Sequence, residues 1–336
     1  MMTMTSPVSV VPACAAPPRD RRRRLDLLLS RYPALATVVV LAVFPLVFPL
    51  YSLAINILLF GLFAAGYNLT FGYTGKLSFG HAAFFGSGAY GCGIAIAVLG
   101  WPWPVAILVG VLLAAVVAVL IGVLSIRTRG IYFAMVTLAL AQCVYFVFFH
   151  ATSLTGGDNG LRGVNLATVS IGPLVVDLLN PLHKYYFMLA FVAVALWVLA
   201  RLLASPFGAT LEALRENEAR ARACGINVDA TRLMSLVISG AICGLAGGLN
   251  AINLSTVSVE SLSYHNSGQV LMLTLLGGMG TFFGPFLGSA VFLGIEHVVT
   301  GVTERWQLIV GVIFIVLVLF FPKGIWGSVL AWYRRS

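Results

Sequence analysis

Long apolar segments, most of them of the length needed to cross a lipid bilayer, constrain the fold of this chain more than any other feature. They fall at about 33–50, 52–71, 77–99, 104–126, 130–150, 185–204, 232–254, 266–300 and 306–321. A helix of roughly 20 apolar residues crosses the bilayer core. Only 9% of the 336 residues are charged, against roughly 25% in a soluble domain. The runs lack the strict alternation of a membrane β-barrel, so we predict an all-α, polytopic transmembrane helical bundle.

The run at 266–300 is too long for a single span. Its middle is the glycine- and proline-rich segment GGMGTFFGP at Gly277–Pro285. Two helices that meet at this interruption fit the run better than one helix does. This interpretation gives about ten spans, and eight to ten are compatible with the chain.

Basic residues are distributed unevenly between the two sides of this topology. If the amino-terminal tail is inside, 17 of the 20 Lys and Arg residues lie inside, and only Arg162, Lys184 and Arg305 lie outside. Cytoplasmic loops carry such an excess, so we expect both termini to be cytoplasmic. We expect residues 1–32 to be a retained, disordered basic tail, followed by a transmembrane domain at 33–330. The net charge of +9 therefore implies no nucleic acid.

Small residues dominate the stretch FGYTGKLSFGHAAFFGSGAYGCG at Phe71–Gly93. Within Gly80–Gly93, small residues recur at helical spacing and form one smooth face, at Ala82, Gly86, Ala89 and Gly93. Helices in lipid approach closely through such residues. We therefore predict a helix packed tightly against a neighbour, and its bulky residues, Phe84, Phe85 and Tyr90, are expected to point elsewhere.

Two glycine-rich interruptions are candidates for a pathway through the bundle. Gly72–Gly80 is either a cytoplasmic turn or a broken, re-entrant segment, and GGMGTFFGP is its counterpart in the second half of the chain. The candidate residues are Gly72, Thr74, Gly75, Ser78, His81, Gly277, Gly278, Gly280, Thr281 and Gly284. For His81, a buried histidine hydrogen-bonded to a neighbouring helix is the alternative to a pathway role.

Two loops are longer than a turn. The loop at 151–184 is expected outside, and the loop at 205–231 is expected inside. In the second loop, Glu and Arg alternate over 210–224 among residues that favour helix, and we predict a helix there. Pro206 and Gly208 are expected to break the chain before this helix. Gly225 is placed to end it.

This predicted helix would be stabilised by two i,i+4 ion pairs, which are Glu216/Arg220 and Glu218/Arg222. Its apolar stripe would consist of Leu211, Leu214, Ala221 and Cys224. The residues alone are compatible with a charged connector, with an amphipathic helix along the membrane surface, or with a helix that docks a partner.

Several segments, in this order along the chain, resemble the permease subunits of bacterial ABC importers for branched-chain amino acids. The resemblance is carried by GYTGKLSFGHAAFFGSGAYG (72–91), TGGDNGLRG (155–163), LEALRENEARARACGIN (211–227), SGAICGLAGGLNA (239–251), LLGGMGTFFGPFLGSA (275–290) and WQLIVGVIFIVLVLFFPKGIWG (306–327). It implies a permease and not an enzyme. The permeases of urea or short-chain amide importers are similar and remain an alternative.

The resemblance further implies that the loop at 205–231 contains a coupling helix that contacts an ATPase subunit. The contact residues would be Glu212, Arg215, Glu216, Asn217, Glu218, Arg222 and Gly225. The implied partners are a second homologous permease, two ABC ATPase subunits and an extracytoplasmic solute-binding protein, in a bacterial inner membrane. ATP and magnesium would bind to the partners, and no cofactor is expected in this chain.

Several kinds of chemistry are disfavoured. The chain has no GxxxxGK[ST] phosphate loop, so we expect no P-loop ATP site in it. Titratable residues are scarce in the spans, which makes an ion-coupled secondary transporter the less favoured alternative; Glu296, beside His297, is an exception near the outer end of its span. The cysteines at 14, 92, 143, 224 and 243 and the scattered histidines have no metal-ligand spacing. We expect free, packed thiols and no metal.

Overall fold

The computed structural model describes residues 33–47, 50–128, 130–164, 168–171, 174–303, 305–320 and 324–328. The predicted basic tail at 1–32 and the end of the predicted transmembrane domain lie outside the described residues. Cys14 also lies outside them.

Helices dominate the described residues. In chain order they are α1 (Pro33–Val47), α2 (Tyr51–Thr74), α3 (His81–Ala97), α4 (Trp103–Ser125), α5 (Ile131–His150), α6 (Thr152–Thr155), α7 (Pro181–Leu203), α8 (Pro206–Glu216), α9 (Glu218–Ala223), α10 (Val228–Leu254), α11 (Tyr264–Gly277), α12 (Gly284–Thr300) and α13 (Trp306–Phe320). A helical turn covers 324–328, and 3₁₀ turns cover Gly157–Asn159 and Val259–Leu262.

The strands are short, two to four residues each. They are β1 (Leu161–Arg162), β2 (Thr168–Ile171), β3 (Leu174–Asp177) and β4 (Thr256–Val257). β2 and β3 form an antiparallel hairpin within the loop at 151–184. β1 pairs with β4 in antiparallel register, with Leu161 opposite Val257. The pairing of β1 with β4 therefore fastens the first part of this loop to the end of α10.

The predicted helical bundle is confirmed. Five described helices, α2, α4, α5, α7 and α10, are long and apolar enough to cross a bilayer, and shorter apolar helices cover Ala34–Pro45, Gly284–Thr300 and Gln307–Leu317. The run at 266–300 forms two helices, α11 and α12, with residues 278–283 between them, as the glycine-rich interruption predicts.

Two of the long helices begin about four residues before their predicted starts, because an asparagine caps each of them. The Asn180 side chain accepts a hydrogen bond from Leu182 N at the start of α7. The Asn227 side chain accepts one from Ala230 N at the start of α10. Asparagine is a favoured N-cap because its side-chain oxygen satisfies an otherwise unpaired backbone N–H.

Helix α3 lies at the centre of the bundle, and nearly all of its residues are buried. Its backbone crosses α4 and α10 at glycines. A Cβ added to Gly110 of α4 would lie 2.5 Å from the carbonyl oxygen of Gly88, and one added to Gly88 would overlap the backbone of Gly244 in α10. The predicted close packing is confirmed.

The faces of α3 differ from the prediction in one respect. The tightest crossing runs through Gly88, and the predicted face at Gly86 and Gly93 instead meets the side chains of Leu262 and Val257. The bulky residues of α3, Phe84, Phe85 and Tyr90, are themselves buried, and the Phe84 ring lies beside Gly240 of α10. The ring of Phe85, for example, lies 4.6 Å from that of Phe63 in α2, centroid to centroid.

The four described cysteines are free, and they divide into two pairs. Cys92 and Cys243 are buried, which confirms the expectation of packed thiols. The expectation is wrong for Cys143 and Cys224, which are exposed. Among the described residues, no group of three His, Cys, Asp or Glu side chains is placed to hold a metal ion.

The close packing of α3 on α10 yields a test of stability. A Cβ at Gly247 would overlap the carbonyl oxygen of Phe85, a backbone atom that cannot move aside without distorting α3. Gly247→Ala should therefore lower stability by about 1–3 kcal/mol, measured as the thermal unfolding midpoint of purified protein in detergent. The matched control is Gly294→Ala in α12, where no atom lies within 4 Å of the added Cβ. Equal midpoints for the two variants would contradict the packing described here.

Candidate functional site

The segment at 75–80 interrupts the path from α2 to α3 inside the protein. The Phe79 backbone N–H donates to Thr137 Oγ1 of α5 at 3.2 Å, and Ser267 Oγ of α11 donates to the Phe79 carbonyl at 2.7 Å. The Ala82 N–H in turn donates to Ser267 Oγ at 2.9 Å. Unsatisfied backbone groups cost several kcal/mol in hydrocarbon. Side chains of two other helices therefore satisfy the end of this segment, where Ser78 and Gly80 are buried, whereas its start at Gly75 is exposed.

A single amide, that of Asn68, connects the second interruption, at residues 278–283, to helix α2. Asn68 Nδ2 donates to the Thr281 carbonyl at 2.9 Å, and the Gly280 N–H donates to Asn68 Oδ1 at 3.0 Å. Gly72 packs against the same turn, since a Cβ there would lie 2.5 Å from Gly280 N. Two residues of α2, Asn68 and Gly72, therefore hold the second interruption against the carboxyl-terminal part of that helix.

Sequence reasoning missed Asn68. Its signal is a polar amide within the apolar helix α2, and such side chains join helices by hydrogen bonds in membrane proteins. Without coordinates, the partner of that amide, 212 residues further along the chain for Gly280, has no local signature.

His81 occupies a fully buried position at the start of α3. Its Nε2 lies 2.9 Å from Ser239 Oγ of α10, and that hydroxyl donates to the Gly66 carbonyl of α2 at 2.6 Å. Ser239 Oγ therefore accepts the proton of His81 Nε2. The ring of Tyr67 packs on the imidazole edge at 4.7 Å between centroids. The structure therefore favours a buried histidine, hydrogen-bonded to a neighbouring helix, over a pathway role for His81. Through Ser239, the side chain connects α3 with α10 and α2.

The remaining pathway candidates lie mostly in packed turns. Thr281 Oγ1 donates to the Gly278 carbonyl at 2.8 Å and accepts from the Gly284 N–H at 3.2 Å. Gly277 packs on the backbone of Gly284. In the first interruption, Thr74 and Ser78 are buried, whereas Gly75 is exposed. A pathway role for these residues stays a prediction.

The charged loop at 205–231 contains two helices, so the prediction of one helix over 210–224 is wrong. The chain becomes extended at Asn217, with φ −158° and ψ 106°, and the Asn217 side chain caps α9 by accepting from Arg220 N at 3.0 Å. Glu216 and Arg220 therefore lie in different helices, and the predicted pair between them does not form. Gly225 follows the end of α9 with φ +84°, as predicted.

The start of the first loop helix also differs from prediction. Pro206 does not break the chain but begins α8, because a proline fits the first helical turn, where its missing N–H has no partner to lose. Gly208 lies inside α8 and lets it approach the Leu203 carbonyl at the end of α7. The apolar stripe is buried at Leu211, Leu214 and Ala221. Cys224, predicted to continue it, is exposed.

Glu218 lies at the centre of an ion cluster at the end of the bundle that carries the charged loop. Its carboxylate lies 3.8 Å from Lys76 Nζ and 3.5 Å from Arg222 Nη2. It also accepts a hydrogen bond from Arg232 Nη2 of α10, whose side chain is only 12% exposed. Asp229 completes the cluster, 3.9 Å from each of the two arginines. Glu218 therefore anchors α9 to α10 and to the first interruption, and its side chain faces the protein.

The other predicted contact residues form an exposed surface, which we call the loop surface. It consists of Glu212, Arg215, Glu216, Asn217, Arg222 and Gly225. A cavity of about 450 Å³ opens beside it, lined by Tyr73, Glu212, Arg215, Glu216 and Gly280.

Arg215 joins this surface to both interruptions. A Cβ added to Gly280 would lie 2.5 Å from Arg215 Nη1, and one added to Gly75 would lie 3.5 Å from Arg215 Cγ. Displacement of α8 would therefore reach both interruptions through one side chain.

These features define a polytopic membrane protein in which interrupted helices meet beside a charged loop at one end of the bundle. The chain belongs to the family described as the permease component of the branched-chain amino acid transport system, whose model matches residues 50–319. The match includes α2 to α12 and nearly all of α13.

Individual relatives include the high-affinity branched-chain amino acid transport system permease protein LivM of Escherichia coli, 28% identical over 279 residues. That alignment covers 77% of this chain and 66% of the relative. This chain therefore spans just under two thirds of the length of the Escherichia coli protein. A probable branched-chain amino acid transport permease protein LivM of Methanocaldococcus jannaschii is 24% identical over 56% of this chain and 54% of its own.

The galactose/methyl galactoside import permease protein MglC of Salmonella typhimurium is 27% identical over 50% of this chain and 49% of its own. Relatives of this chain are therefore named for chemically different solutes. No solved structure is significantly similar to this chain.

The attachment of the second interruption to α2 can be tested by replacing Asn68. Asn68→Leu removes both hydrogen bonds and leaves the Gly280 N–H and the Thr281 carbonyl unpaired, at a cost of about 1–3 kcal/mol for each buried group. We expect a lower unfolding midpoint and faster proteolytic cleavage within 278–283. Asn266→Ala is the control, because it loses one exposed hydrogen bond, to the Glu260 carbonyl. Unchanged cleavage in Asn68→Leu would show that this amide does not hold the turn.

Proposed function

We propose that this chain is the membrane-embedded permease subunit of an ATP-driven importer that carries branched-chain or related hydrophobic amino acids across a bacterial inner membrane. The observation that carries the proposal is the family match over 50–319. The LivM protein of Escherichia coli supports it, since its alignment covers 77% of this chain, against 50% for the galactoside permease.

The energy for transport comes from separate subunits in this proposal. The chain has no phosphate loop of its own, and its loop surface offers exposed charges of both signs to a partner. We propose that two ATPase subunits bind on this side, one of them at the loop surface. A second homologous permease completes the pathway, and a solute-binding protein delivers the solute from the opposite side.

The loop surface is proposed to be cytoplasmic, together with both chain termini. The topology predicted from sequence supports this orientation, because it puts 17 of the 20 Lys and Arg residues on the side of the loop. The ion cluster around Glu218, with Lys76 and Arg232, lies on the same side as the loop surface.

Coupling is proposed to run through α8 and α9. An ATPase that moves α8 displaces Arg215, whose side chain lies against Gly280 and near Gly75. The Asn68 amide ties the second interruption to α2, the helix that leads into the first interruption, so a movement of one is passed to the other through α2. Glu218 keeps α9 attached to α10 during this movement, because it is held by Arg232 and Lys76.

The energy source distinguishes this proposal from an ion-coupled transporter. We expect uptake of L-leucine by proteoliposomes that contain the full importer to require internal ATP and to survive a protonophore. Uptake that stops with the protonophore and continues without ATP would refute the proposal. Competition by unlabelled L-valine but not by urea or acetamide would separate amino acid import from the amide alternative.

The loop surface gives a test of coupling. The double variant Glu212→Arg/Glu216→Arg reverses two exposed charges and should abolish ATPase-subunit binding and reduce uptake at least tenfold. Its unfolding midpoint should stay within 2 °C of wild type, roughly the accuracy needed to exclude a stability loss of 1 kcal/mol. The control is Asp158→Arg, an exposed acidic residue in the loop at 151–184. Co-purification of the ATPase subunit with the Glu212/Glu216 double variant, at wild-type yield and with wild-type uptake, would contradict the proposed coupling and leave the loop as a connector only.

Glu218→Gln separates the attachment of α9 to the bundle from the binding of the ATPase subunit. It should lower the unfolding midpoint, because it removes the carboxylate that Lys76, Arg222 and Arg232 share.

A further inference from the structure

A cavity of about 240 Å³ lies between α5, α11 and α12, away from the loop surface. Part of its wall is apolar, at Leu138, Met272 and Phe292. The rest is polar, at His265, Gln269 and Glu296. An apolar wall that faces a few polar groups is the general character of a site for a small organic solute.

Glu296 is the unusual group in this wall. It is half-buried in the apolar helix α12, and its Oε2 atom is enclosed without a hydrogen-bond partner among the described residues. Ionisable side chains within membrane helices are costly and are retained where they pair or bind something. The residues that line the cavity include no lysine or arginine to neutralise it. His265, on α11, is the nearest group capable of positive charge on that wall.

The arrangement matches the chemistry of an aliphatic α-amino acid. An ammonium group has three N–H donors and no acceptor, which suits the unpaired carboxylate oxygen of Glu296. Gln269 and His265 lie four residues apart on α11 and so face the same side of that helix; both offer N–H donors to a carboxylate. Met272 and Phe292 leave an apolar surface for an aliphatic side chain.

We propose that this cavity is a solute-recognition site for a small aliphatic α-amino acid, in which Glu296 binds the ammonium group. The inference rests on the proposed function and deepens it, because it names the chemical group that the permease recognises.

The position of the site suits a path through the protein. His297, the next residue of α12, lines a second cavity of about 660 Å³ at the end of the bundle opposite the loop surface, together with Lys184. In the other direction, the cavity wall includes Phe79, which belongs to the first interruption. That segment continues to Lys76, a member of the ion cluster. The site therefore lies between an opening at one end and the coupling elements at the other.

Direct binding to the purified full chain in detergent tests the site. Three probes separate the recognised groups: L-leucine, isoamylamine, which lacks the carboxylate, and 4-methylpentanoate, which lacks the ammonium group. We expect L-leucine and isoamylamine to raise the unfolding midpoint and 4-methylpentanoate not to. Glu296→Gln should weaken the binding of isoamylamine by about ten- to a hundredfold, the usual effect of losing a charge-assisted hydrogen bond.

Two further variants make the result interpretable. Glu260→Gln alters an exposed carboxylate outside the cavity and should bind like wild type. Gly268→Leu adds a side chain at a cavity-lining position where no atom lies within 4 Å of the added Cβ. It should block binding by filling the cavity. This variant tests the site even if Glu296→Gln does not fold. Binding unchanged in both Glu296→Gln and Gly268→Leu, or equal binding of 4-methylpentanoate and isoamylamine, would overturn the assignment.

Uptake by the full importer separates this proposal from the proposed function. Wild-type uptake of L-leucine with an unchanged maximal rate in Glu296→Gln overturns the site and leaves the function intact. No ATP-dependent uptake of any aliphatic amino acid by the wild type overturns the function. In that case, binding of isoamylamine that depends on Glu296 in the purified chain still supports an ammonium site. Absence of that binding refutes the ammonium site.

Discussion

The pairing of backbone groups inside hydrocarbon is the constraint on which the rest of this structure depends. Two helical paths are interrupted within the bundle, and each interruption exposes N–H and carbonyl groups that lipid cannot satisfy. The protein satisfies them with side chains from distant helices, Thr137 and Ser267 for the first interruption and Asn68 for the second. Each bond that repairs an interruption therefore also joins helices.

This pairing connects the charged loop of the proposed transporter with its proposed recognition site. Asn68 joins the second interruption to α2, and Arg215 of the charged loop lies against both interruptions. Phe79, in the first interruption, forms part of the wall of the cavity that contains Glu296. A chain of direct contacts thus runs from the loop surface to the proposed solute site, through elements whose backbone is not held by regular helical bonds.

Much of the fold follows from sequence patterns, because these patterns report local physics. Apolar run length indicates the helices, and the glycines at Gly277–Pro285 indicate the division of the run at 266–300. Gly225 marks the end of the charged loop's second helix. The resemblance of several ordered segments also indicated the family, which the match over 50–319 now shows.

The details that sequence reasoning missed depend on contacts between remote residues. Asn217 looks like a helical position until its side chain caps Arg220 N and divides the loop into α8 and α9. Glu218 looks like its exposed neighbours, but Arg232 and Lys76 turn it inward. Glu296 was recognised only as an isolated charge, since the cavity around it is formed by three helices.

The glycine crossing of α3 with α4 and α10 has a consequence for motion. Gly88, Gly110 and Gly244 bring three backbones together, and the nearest side-chain atoms at the crossing are the Cβ atoms of the small residues Cys92 and Ala114. Helices that pack through large side chains must lift out of each other's grooves before they can turn, whereas smooth backbones meet no such step. The crossing can thus serve as a pivot, on which the surrounding helices tilt while the centre of the bundle stays closed.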